Sequence, residues 1–187
     1  MLVRQAFRRR WGACATSSLA IVLLPVARDS AGAADPEAQP LAKGEIAPAF
    51  EAATADGGTL ALPSLRGRVV LLNFWGIACP PCRIEMPELE KIHRRWSGRG
   101  LAVVGIEEMG ASAEEARRFA AGIGVRYPIA IDPGERIGRL YRLEAHPTTV
   151  ILDREGRVAW VGAGYLRGDE REIEQAVRDT LALPVNP

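Results

Sequence analysis

Cysteine is scarce in this chain, with three in 187 residues. That scarcity argues against the disulfide framework that staples small exported domains. A closed zinc site needs four ligands, and no second cysteine pair exists to complete one begun by Cys79 and Cys82. Charge of one sign is also missing. The formal net charge is +1 and no basic stripe runs along the chain, so nucleic acid is not expected as a partner. There is no internal repeat and no sustained basic amphipathic stretch for a membrane surface. The apolar run centred on Leu19-Ala20-Ile21-Val22-Leu23-Leu24 falls short of the ~20 residues that a spanning helix needs.

Apolar residues make up 48% of the chain and charged residues 25%, ordinary for a globular protein. A body of about 150 residues can bury a full core without cross-links. The cysteines therefore need an explanation other than stability.

The N-terminus has the layout of a secretory signal, residues 1–33. Arg4, Arg8, Arg9 and Arg10 form a basic start, the apolar run follows, and Ala31-Gly32-Ala33 fits a small-x-small cleavage site with the cut after Ala33. An uncleaved anchor and a twin-arginine signal are the alternatives. Cys14 would leave with the signal, and without residues 1–33 the chain turns slightly acidic. Export to a periplasm would place Cys79 and Cys82 where a disulfide can persist. Residues 34–43, rich in alanine, proline and acid, are expected to be a flexible linker, with the folded domain over 44–187.

From Ala47 onward the pattern is structured. Asp56-Gly57-Gly58 is a turn between short strands at 50–54 and 59–62. Residues 69–75 form a nearly unbroken apolar run, the mark of a strand buried on both faces. A helix should follow, with Met86, Leu89, Ile92 and Trp96 on its apolar face, Glu85 among the polar residues, and a kink at Pro87. A second buried strand is expected at 101–106, and Ser112-Ala113-Glu114-Glu115 is a capping box opening a helix to about Gly122. Strands at 127–131, 148–152 and 158–161, a short helix at 135–141 and a final helix at 170–183 complete the pattern. Alternating strands and helices imply an α/β fold with helices on both faces of a mixed sheet, and its site is expected where a central strand ends and a helix starts.

Cys79 and Cys82 fall at that point. A helix N-terminus offers unpaired N–H groups and partial positive charge, both of which favour a thiolate. The thiolate is the attacking species, so Cys79, just ahead of the helix, is the candidate nucleophile, and Cys82 lies within reach to resolve a mixed disulfide. Pro80 and Pro81 suit a first helical turn. They also delete two N–H donors beside the sulfurs, which favours a more reducing couple.

The span Asn73-Phe74-Trp75-Gly76-Ile77-Ala78-Cys79-Pro80-Pro81-Cys82-Arg83-Ile84-Glu85-Met86-Pro87-Glu88-Leu89 resembles the active-site signature of the thioredoxin superfamily, in its periplasmic TlpA/ResA/CcmG-like branch. His146-Pro147-Thr148-Thr149-Val150-Ile151-Leu152-Asp153 resembles the cis-proline segment of that branch, and Ala47-Pro48-Ala49-Phe50 with Leu65-Arg66-Gly67-Arg68 its opening hairpin region. The likeness covers roughly residues 44–183. It implies a thioredoxin-like fold with an N-terminal β-hairpin extension, and an exported thiol–disulfide oxidoreductase working by dithiol exchange at a redox-active Cys79–Cys82 disulfide. In that reading Pro147 is a cis-proline shaping a client groove and Glu85 an acid that tunes the thiols or relays protons, the alternative being a solvated helix residue. Trp75, Pro80, Pro81, His146 and Thr148 would border the client, with Trp75 alternatively plain core. No cofactor or metal is implied, and a monomer is expected. Implied partners are client proteins with cysteine pairs, such as apocytochrome c or copper-site proteins, and an upstream membrane thiol reductant.

The sequence also departs from the superfamily's pattern. Asn73 stands where thioredoxin has a buried aspartate and cannot act as a base, which leaves proton transfer to Glu85 or water. Ala78 replaces the bulky residue usual before the first cysteine. His146 is unusual before the cis-proline. It could lower the Cys79 pKa as imidazolium, ligate a metal, or contribute backbone alone. The alternatives in function are a copper-binding assembly factor using Cys79, Cys82 and His146, a disulfide-forming oxidant, and a peroxiredoxin-like peroxidase.

Overall fold

The structure is a computed structural model that describes residues 41–184. The signal expectation for 1–33, the linker as far as residue 40 and Cys14 lie outside these residues. Among the described residues no helix is long and apolar enough to cross a membrane.

Strands β1 (Glu51–Ala53) and β2 (Thr59–Ala61) pair antiparallel as a small hairpin. Gly57 turns it at φ 90°, a conformation glycine reaches without steric cost. The main sheet holds β3 (Val69–Trp75), β4 (Leu101–Glu107), β5 (Ile129–Ile131), β6 (Thr148–Leu152) and β7 (Val158–Ala163), in the order β5-β4-β3-β6-β7. β4 runs parallel to both β3 and β5, while β6 is antiparallel to both β3 and β7. The α-helices among the described residues are α1 (Pro80–Trp96), α2 (Ala113–Gly122), α3 (Arg136–Leu140) and α4 (Glu170–Ala182).

All seven residues of β3 are buried, in keeping with its nearly unbroken apolar run. Its alternating side chains feed two cores. Val69, Leu71 and Trp75 pack with Cys82, Met86, Leu89 and Ile92 of α1 and Ile173 and Val177 of α4. Val70, Leu72 and Phe74 pack on the other face with Ile137 of α3, Tyr141 and the N-terminal segment. Each fully buried aliphatic side chain contributes about 1.5–3 kcal/mol of transfer free energy, so β3 anchors the sheet and holds the loop after it in place.

Several boundaries differ from the sequence expectation. Residues 41–43 do not continue the expected linker: Leu41 is buried in the second core, and Gly44 and Ala47 donate backbone hydrogen bonds to Val158 and Gly156 at 2.8 and 2.9 Å. An apolar side chain and a bridging backbone tie down what composition alone presents as a linker. β5 starts at Ile129 rather than Tyr127, because Pro128 has no N–H to extend the ladder. β7 continues to Ala163, which pairs with Thr148. Helix α1 runs from Pro80 to Trp96 through Pro87. The capping box is complete, with Ser112 accepting from Glu115 N–H and the Glu115 side chain accepting from Ser112 N–H at 2.9 Å.

Candidate active site

β3 ends at Trp75, and its buried length fixes where the next residues emerge. The N–H of Cys79 donates to the Gly76 carbonyl at 3.1 Å, closing a turn that delivers Cys79 as the N-cap of α1. Cys79 and Cys82 form a disulfide, with Cα atoms 5.3 Å apart. Cys79 is 6% exposed and Cys82 not at all. The order of accessibility is the one expected, although both sulfurs are largely covered in this oxidised state. Ala78 and Pro80 are exposed on either side of Cys79.

The helix start is poor in donors. Pro80 and Pro81 occupy the first positions, and the backbone N–H that reaches the Cys79 sulfur is that of Cys82, at 3.3 Å. N-cap groups ordinarily accept from the second or third helical N–H, so Pro81 deletes one of the two. Pro81→Ala should restore a donor and favour the Cys79 thiolate. Equilibration in glutathione buffers should then show a reduction potential higher by about 30 mV, one decade in equilibrium constant. An unchanged potential would refute a role for the missing donor.

Glu85 follows Cys82 by three residues on the same helix, one turn along the same face. The structure overturns its placement among the polar faces of α1: Glu85 is 1% exposed. It reaches through the core to the paired residues Asn73 and Thr149 on neighbouring strands. Asn73 Nδ2 donates to Glu85 Oε2 at 2.7 Å, and Thr149 Oγ1 donates to Oε1 at 2.9 Å. Burial pushes the Glu85 carboxyl up to about 7, against the opposing pull of the hydrogen bonds from Thr149 and Asn73. A buried acid titrating near neutrality can carry protons at working pH. Sequence reasoning missed Thr149 as a site residue. Its signal is positional, since in an antiparallel pair it lies opposite Asn73, the polar residue interrupting the β3 apolar run.

The His146–Pro147 peptide is cis. Pro147 is buried, and its carbonyl accepts from Gly164 N–H at 2.7 Å. His146 is partly exposed and meets buried Glu108 through Nε2. That contact raises the imidazole pKa, over the opposing effect of burial. Glu108 was missed by sequence reasoning because nothing local marks an acid at a strand end as paired with a histidine 38 residues away. Both line a cleft of about 410 Å³ together with Glu135 and Arg139 of the α3 region.

Two residues expected to touch a client are covered. Trp75 is wholly buried and stacks on Phe119, ring centroids 5.4 Å apart. Thr148 is 3% exposed, pairs with strands on both sides, and donates its hydroxyl to the Ala145 carbonyl at 2.7 Å. Full packing and paired backbone leave neither a surface to offer in this state, so both act as framework. Pro80, Pro81 and His146 keep some exposure. Among the described residues no group of three or more His, Cys, Asp or Glu side chains could hold a metal ion, and His146 Nε2 is engaged by Glu108, so the copper reading gains nothing from this geometry.

A mixed sheet in this order, with a Cys-x-x-Cys disulfide at the N-terminus of the helix following the central strand and a cis-proline ahead of β6, defines a thioredoxin-fold thiol–disulfide oxidoreductase. Residues 43–161 match the AhpC/TSA family, and the chain belongs to that family. Within it the ResA-like branch is the one resembled. The chain is 36% identical over 135 residues to the thioredoxin-like protein YneN of Bacillus subtilis, covering 71% of this chain and 77% of the relative. It is 33% identical over 142 residues to the thiol-disulfide oxidoreductase ResA of Halalkalibacterium halodurans, covering 75% and 76%. Among solved structures, a Chlorobium tepidum protein described as a DsbE-type thiol:disulfide interchange protein superposes with TM-score 0.72 at 30% identity, over 76% of this chain and 99% of that one. A secreted thiol-disulfide isomerase of Corynebacterium glutamicum superposes with TM-score 0.65 at 26% identity, over 72% and 84%.

Proposed function

We propose that this oxidoreductase is exported and reduces disulfides in client proteins by dithiol exchange. The observation that carries the reading is the donor-poor start of α1 around Cys79 together with the buried acid Glu85 one turn beyond Cys82. In the reduced enzyme, the Cys79 thiolate attacks one sulfur of a client disulfide. This forms a Cys79–client disulfide and releases the other client sulfur as a thiolate. Cys82, deprotonated, then attacks the Cys79 sulfur, which regenerates the Cys79–Cys82 disulfide and releases the second client thiolate. Two electrons pass to the client, and its two thiolates take up the two protons the enzyme thiols gave up. In this reading Glu85, whose carboxyl burial pushes up to about 7, receives the Cys82 proton and passes it on.

The client backbone would lie along Pro147 with contacts at Pro80, Pro81 and His146. The clients proposed are exported proteins with cysteine pairs, such as apocytochrome c or copper-site proteins, and a membrane thiol reductant would restore the dithiol. Export is supported by the signal layout of residues 1–33 and by the secreted Corynebacterium neighbour.

Equilibration of the protein against defined redox buffers, read by alkylation or tryptophan fluorescence, tests the direction. A potential near about −270 mV is expected for a reductant. A value near about −120 mV would replace it with a disulfide-forming oxidant.

A further inference from the structure

Strand β4 leads into two buried acids, Glu107 and Glu108. Glu107 acts locally. Its carboxylate accepts from the N–H groups of Met109 and Ala111 at 3.2 and 3.0 Å, holding the turn after the strand. Glu108 points to the opposite face, the side of α3. One of its oxygens meets His146 Nε2, and the other has no hydrogen-bond partner among the described residues. Helix α3 leaves room for it through Gly138, where a methyl group would collide with the Glu108 carboxylate.

The register shows what this pair spans. Trp75 pairs with Glu107 on one side of β3, and Phe74 pairs with Thr148 on the other. Carried one residue past the first pair and two past the second, these registers would set Gly76 alongside Glu108 on one side and His146 on the other. Gly76 is also the residue whose carbonyl receives the Cys79 N–H. The side chains of Glu108 and His146 therefore meet across the base of the turn that carries the nucleophile. A carboxylate buried to 2% exposure with half its acceptors empty is costly unless its partner is charged.

We propose that Glu108 is a positioning residue for dithiol exchange: through His146 it ties the segment ahead of Pro147 to the end of β4, beneath the Cys79 turn, and so couples the reactivity of Cys79 to the protonation of His146. The inference rests on the reading of Cys79 as the nucleophile of a dithiol couple. The charged groups around His146 are Glu107 at the end of β4, Glu108 just after it, Glu135 at the start of α3, and Arg139, Arg142 and Glu144 lining the same cleft. Arg142 is also paired with Glu45 at 2.7 Å. Contact with Glu108 raises the His146 pKa. The pair is thus complete below the ordinary histidine range and is lost as pH rises through the raised value.

The test is the rate at which the reduced full-length protein, carrying Cys14→Ser throughout so that only Cys79 and Cys82 remain, attacks a small aromatic disulfide, 5,5′-dithiobis(2-nitrobenzoate), from mildly acidic to alkaline pH. Wild type is compared with Glu108→Gln. The variant is expected to be about two- to tenfold slower in the window where wild-type His146 keeps its proton, the low range for coupled residues in contact. The rate ratio should approach one as the pH passes the raised His146 value, because wild type has then lost the pair as well. Imidazole titration followed by NMR should show a lower His146 pKa in the variant. A ratio that is the same at every pH, or an unmoved His146 titration, overturns the proposal, since a merely structural role gives no pH-dependent ratio. Should Glu108→Gln fail to fold, the double variant Glu108→Gln/His146→Gln removes both partners of the pair and is held to the same ratio test. A wild-type dithiol that does not reduce the probe at all would instead sink the reading of Cys79 as a nucleophile.

Discussion

Cys79→Ser is expected to abolish client reduction, with a loss of more than about a thousandfold in kcat/KM. Serine keeps the N-cap acceptor and so the start of α1, which means the loss reports chemistry and not folding. Circular dichroism unchanged from wild type would check this. Cys82→Ser should behave differently. Cys79 can still attack, but the mixed disulfide has no internal thiolate to resolve it, so covalent adducts with clients should accumulate on non-reducing gels. The asymmetry follows from burial: Cys79 keeps 6% exposure at the N-cap, while Cys82 is wholly enclosed one turn inside α1. Adducts forming on Cys82 in the Cys79→Ser variant, and none on Cys79 in the other, would reverse the assignment of roles.

Glu85→Gln is expected to change stability and catalysis in opposite directions. The native carboxyl titrates near about 7, against an ordinary value of 4.5. The folded state therefore holds this proton more tightly than the unfolded state. The linkage sign is then fixed: ionising Glu85 costs nothing at pH below 4.5 and progressively destabilises the fold as pH rises to about 7, levelling off above that. At about 1.4 kcal/mol per pKa unit the penalty is on the order of 3 kcal/mol in alkaline solution. Glutamine carries no charge, and its amide can keep the Thr149 contact and offer a donor toward Asn73 Oδ1, which lacks a partner among the described residues. Urea melts at pH 8 should show the variant more stable than wild type by roughly 1–3 kcal/mol, with the difference vanishing near pH 4. Turnover should fall by up to about a hundredfold, with loss of the inflection near neutrality. A variant with wild-type turnover and an unaltered pH profile would show that the buried acid is structural only.

Much of this was legible in the chain. The run from Val69 to Trp75, apolar but for Asn73, marked the central strand because a strand covered on both faces needs apolar side chains on both. The Cys79-Pro80-Pro81-Cys82 motif could be placed on a helix start because proline suits the first turn and the amphipathic period resumes at Met86. The capping box at Ser112 and Glu115 is a three-residue device that operates within its own sequence. Helical periodicity failed at Glu85, because an acid on a helix is normally solvated and the polar partners that receive it belong to two other strands.

Sequence by itself determined the elements of this protein, their order and the position of the cysteine pair. Each rests on local rules: which side chains repeat every two or 3.6 residues, which residues cap, and which thiols lie within one turn of each other. Tertiary structure alone decided the environments of the titrating groups. The contacts that bury Glu85 between Asn73 and Thr149, set Glu108 against His146, and enclose Trp75 and Thr148 join segments as far as 76 residues apart. Desolvation and pairing depend on what surrounds a group in space, and for these groups the surroundings come into being only when the sheet has closed and the helices have packed against it.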